Sequence, residues 1–283
     1  MSTLKSKLQQ QTKGQKLKNQ RVKSVLLIGG LGHLGRQLES KLTLTNNNVT
    51  ILDREAQINS YLETSQKNAD ENPIEAIFFK GDNFFSSGPF SKTIDVPKFD
   101  SVVICVRTRE SQENMLPVNP FTVDSIAAME ENFRSTVIEP LIIIEKLIGG
   151  SERKSAPTSL IFIYSSNANQ VSHQSLGYHV INSAIQNLAQ YLSVSLRKEK
   201  ISTYAIELGV IDFENDSVDQ QQSSKAFPGV AIDEISQVLE FIIDINPLSL
   251  TGKSISMTGG RSLLDSTAVA EQVFGDLKVR VIK

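Results

Sequence analysis

The 283-residue chain holds one cysteine, Cys105, so it can form neither an internal disulfide nor a cysteine-built zinc site. Its three histidines, His33, His173 and His179, are scattered without metal-ligand spacing, and no bound metal is expected. No run approaches eighteen uninterrupted apolar residues, and the N-terminus lacks the apolar core of a secretory signal. A cytoplasmic location follows as the expectation. Neither sign of charge dominates: 29 Lys and Arg face 31 Asp and Glu, a net charge of −2. That balance gives no overall attraction to nucleic acid or an anionic membrane, and neither is expected as a partner. Acid is missing from one place. Residues 1–24 carry Lys5, Lys7, Lys13, Lys16, Lys18, Arg21 and Lys23 among glutamines, with no Asp or Glu. Residues 1–22 read as a basic, Gln-rich flexible arm outside a single domain spanning 23–283.

What is present is a repeating order of short apolar runs and longer helical patterns. "VKSVLLIGG", "NVTILDRE", "IEAIFFKGD", "FDSVVICV", "SLIFIYSS", "ISTYAIELGV" and "SISMTGG" read as strands. The helical patterns between them include "GRQLESKLTL", 124–148, 178–198 and "DEISQVLEFIID". Strands that are apolar throughout, each followed by a helix, imply a parallel sheet covered on both faces. The expected fold is therefore α/β: a single-domain, Rossmann-type doubly wound parallel sheet of about seven strands.

The segment "LLIGGLGHLGRQL" places Gly29, Gly30, Leu31, Gly32, His33, Leu34 and Gly35 between the first strand and first helix. From Gly30 it reads G-x-G-x-x-G. Early glycines permit a tight turn and close approach of backbone to a diphosphate; the last lets helix pack near strand. Asp53 closes the second strand eighteen residues after Gly35, where a carboxylate can accept hydrogen bonds from a ribose hydroxyl pair. These residues predict a dinucleotide site. Asp53 favours NAD, because a 2′-phosphate beside it would be repelled; Arg54 next door can hold that phosphate, which keeps NADP open.

In "LGYHVINSAIQNL", Tyr178 and Asn182 lie four residues apart, hence on one helical face. A phenol beside an amide is either a hydrogen-bonded core pair or half of a proton-transfer site. With the glycine turn, the serine pair of "IYSSNANQ" and the closing "LTGKSISMTGGRSL", the chain resembles the short-chain dehydrogenase/reductase family over about residues 23–262. That resemblance implies Tyr178 as catalytic proton donor, Ser166 as the partner of the developing oxyanion, and Asn132 in "MEENFRS" as a structural and relay residue. It also implies Asp82 as an adenine contact, and a dimer or tetramer built on the helices at 124–148 and 178–198. Ile142, Ile143, Leu188 and Leu192 are the candidate seam residues.

The chain departs from the family pattern in several places. The family carries lysine four residues after the tyrosine, holding the nicotinamide ribose and lowering the phenol pKa; here Asn182 stands there. Asparagine can still bond a ribose hydroxyl, so Asn182 is expected as both a supporting and a cofactor-binding residue. It brings no charge to stabilise a phenolate. "VICVRTRE" replaces an N-N-A-G-like segment, and "LGVIDF" replaces one that touches the nicotinamide. Ser165 competes with Ser166 for the family's spacing, and strand alternation lets only one face the site. Arg107 can be a substrate-side cation or a surface arginine, and Cys105 reads as a small core residue. The expected function is NAD(P)-dependent interconversion of a carbonyl and a hydroxyl on a small molecule. The alternative is a nucleotide-binding sensor or scaffold that kept the fold and lost turnover.

Overall fold

A computed structural model describes residues 21–54, 76–79, 99–106, 123–149, 157–168, 176–212 and 229–258. Asp82, Arg107, the basic arm through residue 20 and the polar segment 213–228 lie outside these, as do the side chains of Arg54 and Asn167.

The strands are β1 Ser24–Ile28, β2 Asn48–Arg54, β3 Ala76–Phe79, β4 Ser101–Ile104, β5 Ser159–Ser165, β6 Ser202–Leu208, β7 Ile211–Asp212, β8 Val230–Ala231 and β9 Ser254–Met257. Seven of them form one sheet in the order β3-β2-β1-β4-β5-β6-β9, and every pairing is parallel. β7 and β8 pair separately. The helices are α1 His33–Leu44, α2 Val123–Phe133, α3 Glu139–Gly149, α4 Leu176–Ser195 and α5 Ile232–Ile245. The sequence expectation of a doubly wound parallel sheet of about seven strands is met.

Both faces of the sheet are covered because alternate residues of each apolar strand point to opposite sides. One layer joins Leu26, Val102, Leu160 and Phe162 to Ile143, Ile144 and Leu147 of α3 and Ile181, Ile185 and Ala189 of α4. The other joins Leu27, Val103, Ile161 and Ile206 to Leu38 and Leu42 of α1 and Leu239, Ile242 and Ile243 of α5. Leu38 and Leu42 are wholly enclosed, each contributing roughly 2 kcal/mol of apolar burial. Lys41 Nζ lies 2.8 Å from Asp233 Oδ1 and ties α1 to α5.

The expected helix over 124–148 is interrupted. Between α2 and α3, residues Arg134–Ile138 form a π turn, closed by Glu139 N donating to Arg134 O. Pro140 is the reason. It lacks the N–H that would reach the carbonyl of Thr136, and its ring crowds that carbonyl, so the helix widens rather than breaks. The expected 178–198 helix begins two residues earlier, at Leu176, and passes after Ser195 into a short 3-10 turn, Arg197–Glu199.

Arg21 lies just before β1, near the start of β4. Its guanidinium is 3.6 Å from Asp100 Oδ1, while Asp100 Oδ2 accepts from Ser24 N at 3.0 Å.

Candidate functional site

The strand order reverses at β1. The chain steps outward to β2 and β3, then crosses back to β4 on the other side of β1. In open α/β sheets this switch opens a crevice beyond the strands' carboxyl ends, where ligands bind. The glycine turn follows β1 there, and Cys105–Val106 follow β4.

Each glycine in that turn meets a different constraint. Gly29 sits at φ +80°, and a Cβ on it would lie 2.8 Å from Cys105 O. Gly30 is closed by Ile51, and a Cβ at Gly35 would fall 2.6 Å from Gly30 Cα and O. These three are needed by the protein's own packing. Gly32 is not: a Cβ there would meet nothing nearer than Gly29 O at 3.5 Å. Gly32 also occupies the N-cap of α1 without supplying a side-chain cap. An exposed, open glycine at a helix N-cap fits a diphosphate, which needs N–H donors, positive helix dipole and room for its oxygens.

Asp53, the penultimate residue of β2, lies beside this turn, and its Oδ2 accepts from Leu31 N at 2.9 Å. Arg36 Nε donates to Leu31 O at 3.0 Å from the other side, so Leu31 is held at both its backbone polar groups. His33 and Leu34 lie in the first turn of α1; His33 is exposed, with Nε2 3.5 Å from Gln37 Nε2. Cys105 is buried, as its sequence position suggested. Burial, with the Asp53 charge adding to it, pushes its thiol up to about 12.

Two strands across from β1, about 10 Å away at the usual strand spacing, β5 delivers the serines. Ser165 is its last residue and Ser166 opens a 3-10 turn, Ser166–Ala168, packed on α4. Ile163 belongs to the layer under α1 and α5, whereas Tyr164 and Ala168 belong to the layer under α4. Alternation therefore turns Ser165 away from α4, and the turn begun by Ser166 goes towards it. Ser183 Oγ fixes that turn by donating to Ala168 O at 2.9 Å.

Tyr178 lies half-buried in the first turn of α4. Gly177 lets this turn approach α2, since a Cβ there would sit 3.1 Å from Met129 Cγ. Asn132 follows Met129 by three residues, on the same helix face and just before the π turn; its carbonyl accepts from Ser135 Oγ at 3.1 Å.

Asn182 lies in the second turn of α4. It is buried at 5% exposure, and its amide bonds inward: Oδ1 accepts from Ser165 N and Nδ2 donates to Tyr178 O, both at 2.8 Å. The amide spans the backbones of Ser165 and Tyr178. No sequence pattern marks the Ser165 contact, because it joins a strand end to a helix 17 residues away.

Solved structures similar to this one include short-chain dehydrogenases/reductases. An oxidoreductase of that family from Burkholderia thailandensis superposes with a TM-score of 0.68 at 13% identity, covering 90% of this chain and 98% of that one. FolM alternative dihydrofolate reductase 1 from Brucella canis, complexed with NADP, gives 0.63 at 17% identity over 85% and 94%. A putative D-mannonate oxidoreductase from Haemophilus influenza, with bound NAD, gives 0.63 at 19% over 87% and 98%. The chain thus has the short-chain dehydrogenase/reductase fold. In sequence, residues 113–237 match the fungal family of unknown function DUF1776. No curated protein matches the chain in sequence.

Proposed function

We propose that this protein is an NAD(P)-dependent oxidoreductase that reduces a carbonyl on a small molecule. The observation that carries the reading is Gly32: an exposed, open glycine at the N-cap of α1, near the Asp53 carboxylate, at the switch point of the sheet. The turn from Gly29 to Gly35 would hold the diphosphate, and Asp53 the adenosine ribose, with NAD preferred and NADP the variant. A bound reduced nicotinamide supplies the hydride. Tyr178 gives its phenolic proton to the carbonyl oxygen and recovers one from solvent, and the Ser166 hydroxyl donates a hydrogen bond to the same oxygen. Asn132 supports the helix face opposite Tyr178.

With asparagine at 182, no ammonium at that position stabilises a phenolate. A neutral phenol donates readily and accepts poorly. Reduction is therefore expected to run faster than alcohol oxidation near neutral pH. The decisive experiment is fluorescence titration with NADH and NADPH, followed by single-turnover oxidation of the bound nucleotide against a panel of carbonyl compounds. Absence of nucleotide binding would remove the proposal. Tight binding without turnover would favour the second reading, a nucleotide sensor, which the lack of a lysine at position 182 supports.

The family's mode of assembly is part of the proposal. Ile143 is buried in the protomer core and cannot form the seam, and Leu188 and Leu192 pack largely against that core. α4 instead exposes Val180, Tyr191 and Val194, spaced along one stripe. A second copy covering that stripe gives a homodimer or homotetramer; a monomer by light scattering at micromolar concentration would exclude it.

A further inference from the structure

Position 182 belongs to the stripe of α4 that faces the core, between Ile181 and Ile185, and both of those are buried. A primary amide buried there must find partners within the protein or cost free energy. Asn182 finds two, and they lie on the two elements that carry the reacting groups. Ser165 N belongs to the last strand residue before the turn begun by Ser166. Tyr178 O belongs to the residue whose phenol is the proton donor in the reading above. One rigid, planar side chain therefore spans the serine-bearing strand end and the tyrosine-bearing helical turn, at 2.8 Å to each.

We infer that Asn182 is a positioning residue, a buried amide clamp that sets the separation of the Ser166 and Tyr178 backbones and does not act as a cofactor ligand. The inference rests on the oxidoreductase reading. It has a consequence opposite to what the family pattern suggests. A lysine at 182 has three donors and no acceptor, so it would strip Ser165 N of its partner and place an ammonium in an enclosed position. Refilling the position with the family's residue should damage the site, not restore it. Aspartate keeps the acceptor for Ser165 N and, in the protonated form that burial favours, an O–H donor for Tyr178 O; leucine keeps neither.

The test uses full-length Asn182→Asp, Asn182→Leu and Asn182→Lys proteins, with hydrogen exchange at the Ser165 amide, NADH titration and carbonyl turnover as readouts. Exchange at Ser165 should accelerate at least tenfold in the leucine and lysine variants and less than threefold in the aspartate variant. The NADH dissociation constant of Asn182→Asp should stay within twofold of the parent. Turnover should drop at least tenfold in Asn182→Leu, at an unchanged KM for NADH, with partial recovery in Asn182→Asp. Should the leucine or lysine protein fail to fold, Asn182→Asp still decides between clamp and ligand. Tighter NADH binding or faster turnover in Asn182→Lys, or undisturbed Ser165 exchange in Asn182→Leu, overturns the clamp. If the parent binds neither NADH nor NADPH, the oxidoreductase reading fails and takes the catalytic part of the inference with it. Ser165 exchange then decides separately whether the amide spans the two elements.

Discussion

Leu31 N donates to Asp53 Oδ2 at 2.9 Å, joining two residues 22 positions apart across the β1–β2 edge. The carboxylate that the sequence suggested for a ribose thus also shapes the turn that would hold the diphosphate. Asp53→Ala should loosen the turn, costing about 1–3 kcal/mol of stability and at least tenfold in NADH affinity. Asp53→Asn can still accept from Leu31 N, so it should fold normally while shifting preference towards NADPH. Titration of both variants with both nucleotides checks this; unchanged selectivity in Asp53→Asn would limit Asp53 to the turn alone.

Two glycines of the turn should respond oppositely to a methyl group. Gly35→Ala drives Cβ to 2.6 Å from Gly30 and must part helix from turn, a strain of about 1–3 kcal/mol or more. Gly32→Ala has room, so its melting temperature should match the parent while nucleotide affinity falls at least tenfold. Normal nucleotide affinity in Gly32→Ala would show that nothing approaches that face.

The Cys105 thiol, raised to about 12, stays protonated through the physiological range. At pH 8 only on the order of one molecule in ten thousand carries the thiolate, the form that reacts. Iodoacetamide should leave the native protein unlabelled at pH 8 and label it promptly in denaturant. Rapid labelling of the native state would mean that the β4 end opens.

Glu240 on α5 is raised above the usual glutamate range by burial and by the Asp244 charge one turn on, against a lowering hydrogen bond with Thr45. A carboxyl raised in the folded state binds its proton more tightly folded than unfolded. Its contribution is most favourable below the unfolded pKa and is lost as pH rises through the folded one. Glu240→Gln should therefore raise the melting temperature at pH 7, with the gain vanishing by about pH 4. A gain independent of pH would point to packing instead.

The sheet was legible because its strands are apolar throughout, a pattern that only burial on both faces demands. Their spatial order was not, since β4 pairs with β1 through contacts no local period records. The π turn had a visible signal, Pro140 inside an apolar helical pattern, whose missing N–H forces an accommodation somewhere in the preceding turn. β7 and β8, two residues each, are too short to carry any periodicity. In the candidate site, glycine spacing and the Tyr178–Asn182 separation could be read from the chain. The direction of the Asn182 amide could not, because helical spacing assigns a face and leaves the choice of hydrogen-bond partner to whatever strand lies beneath.

The little β7–β8 ribbon has a consequence for protein engineering. Val230 N donates to Val210 O at 2.8 Å, and Gly229 packs directly on the Asp212 backbone, so Asp212 and Gly229 are held side by side. With Asp212 and Gly229 already stapled together, chain added in the connection between them closes at a penalty of only about 0.6 kcal/mol per doubling of its length. That connection is the natural place to graft a reporter peptide without disturbing the sheet.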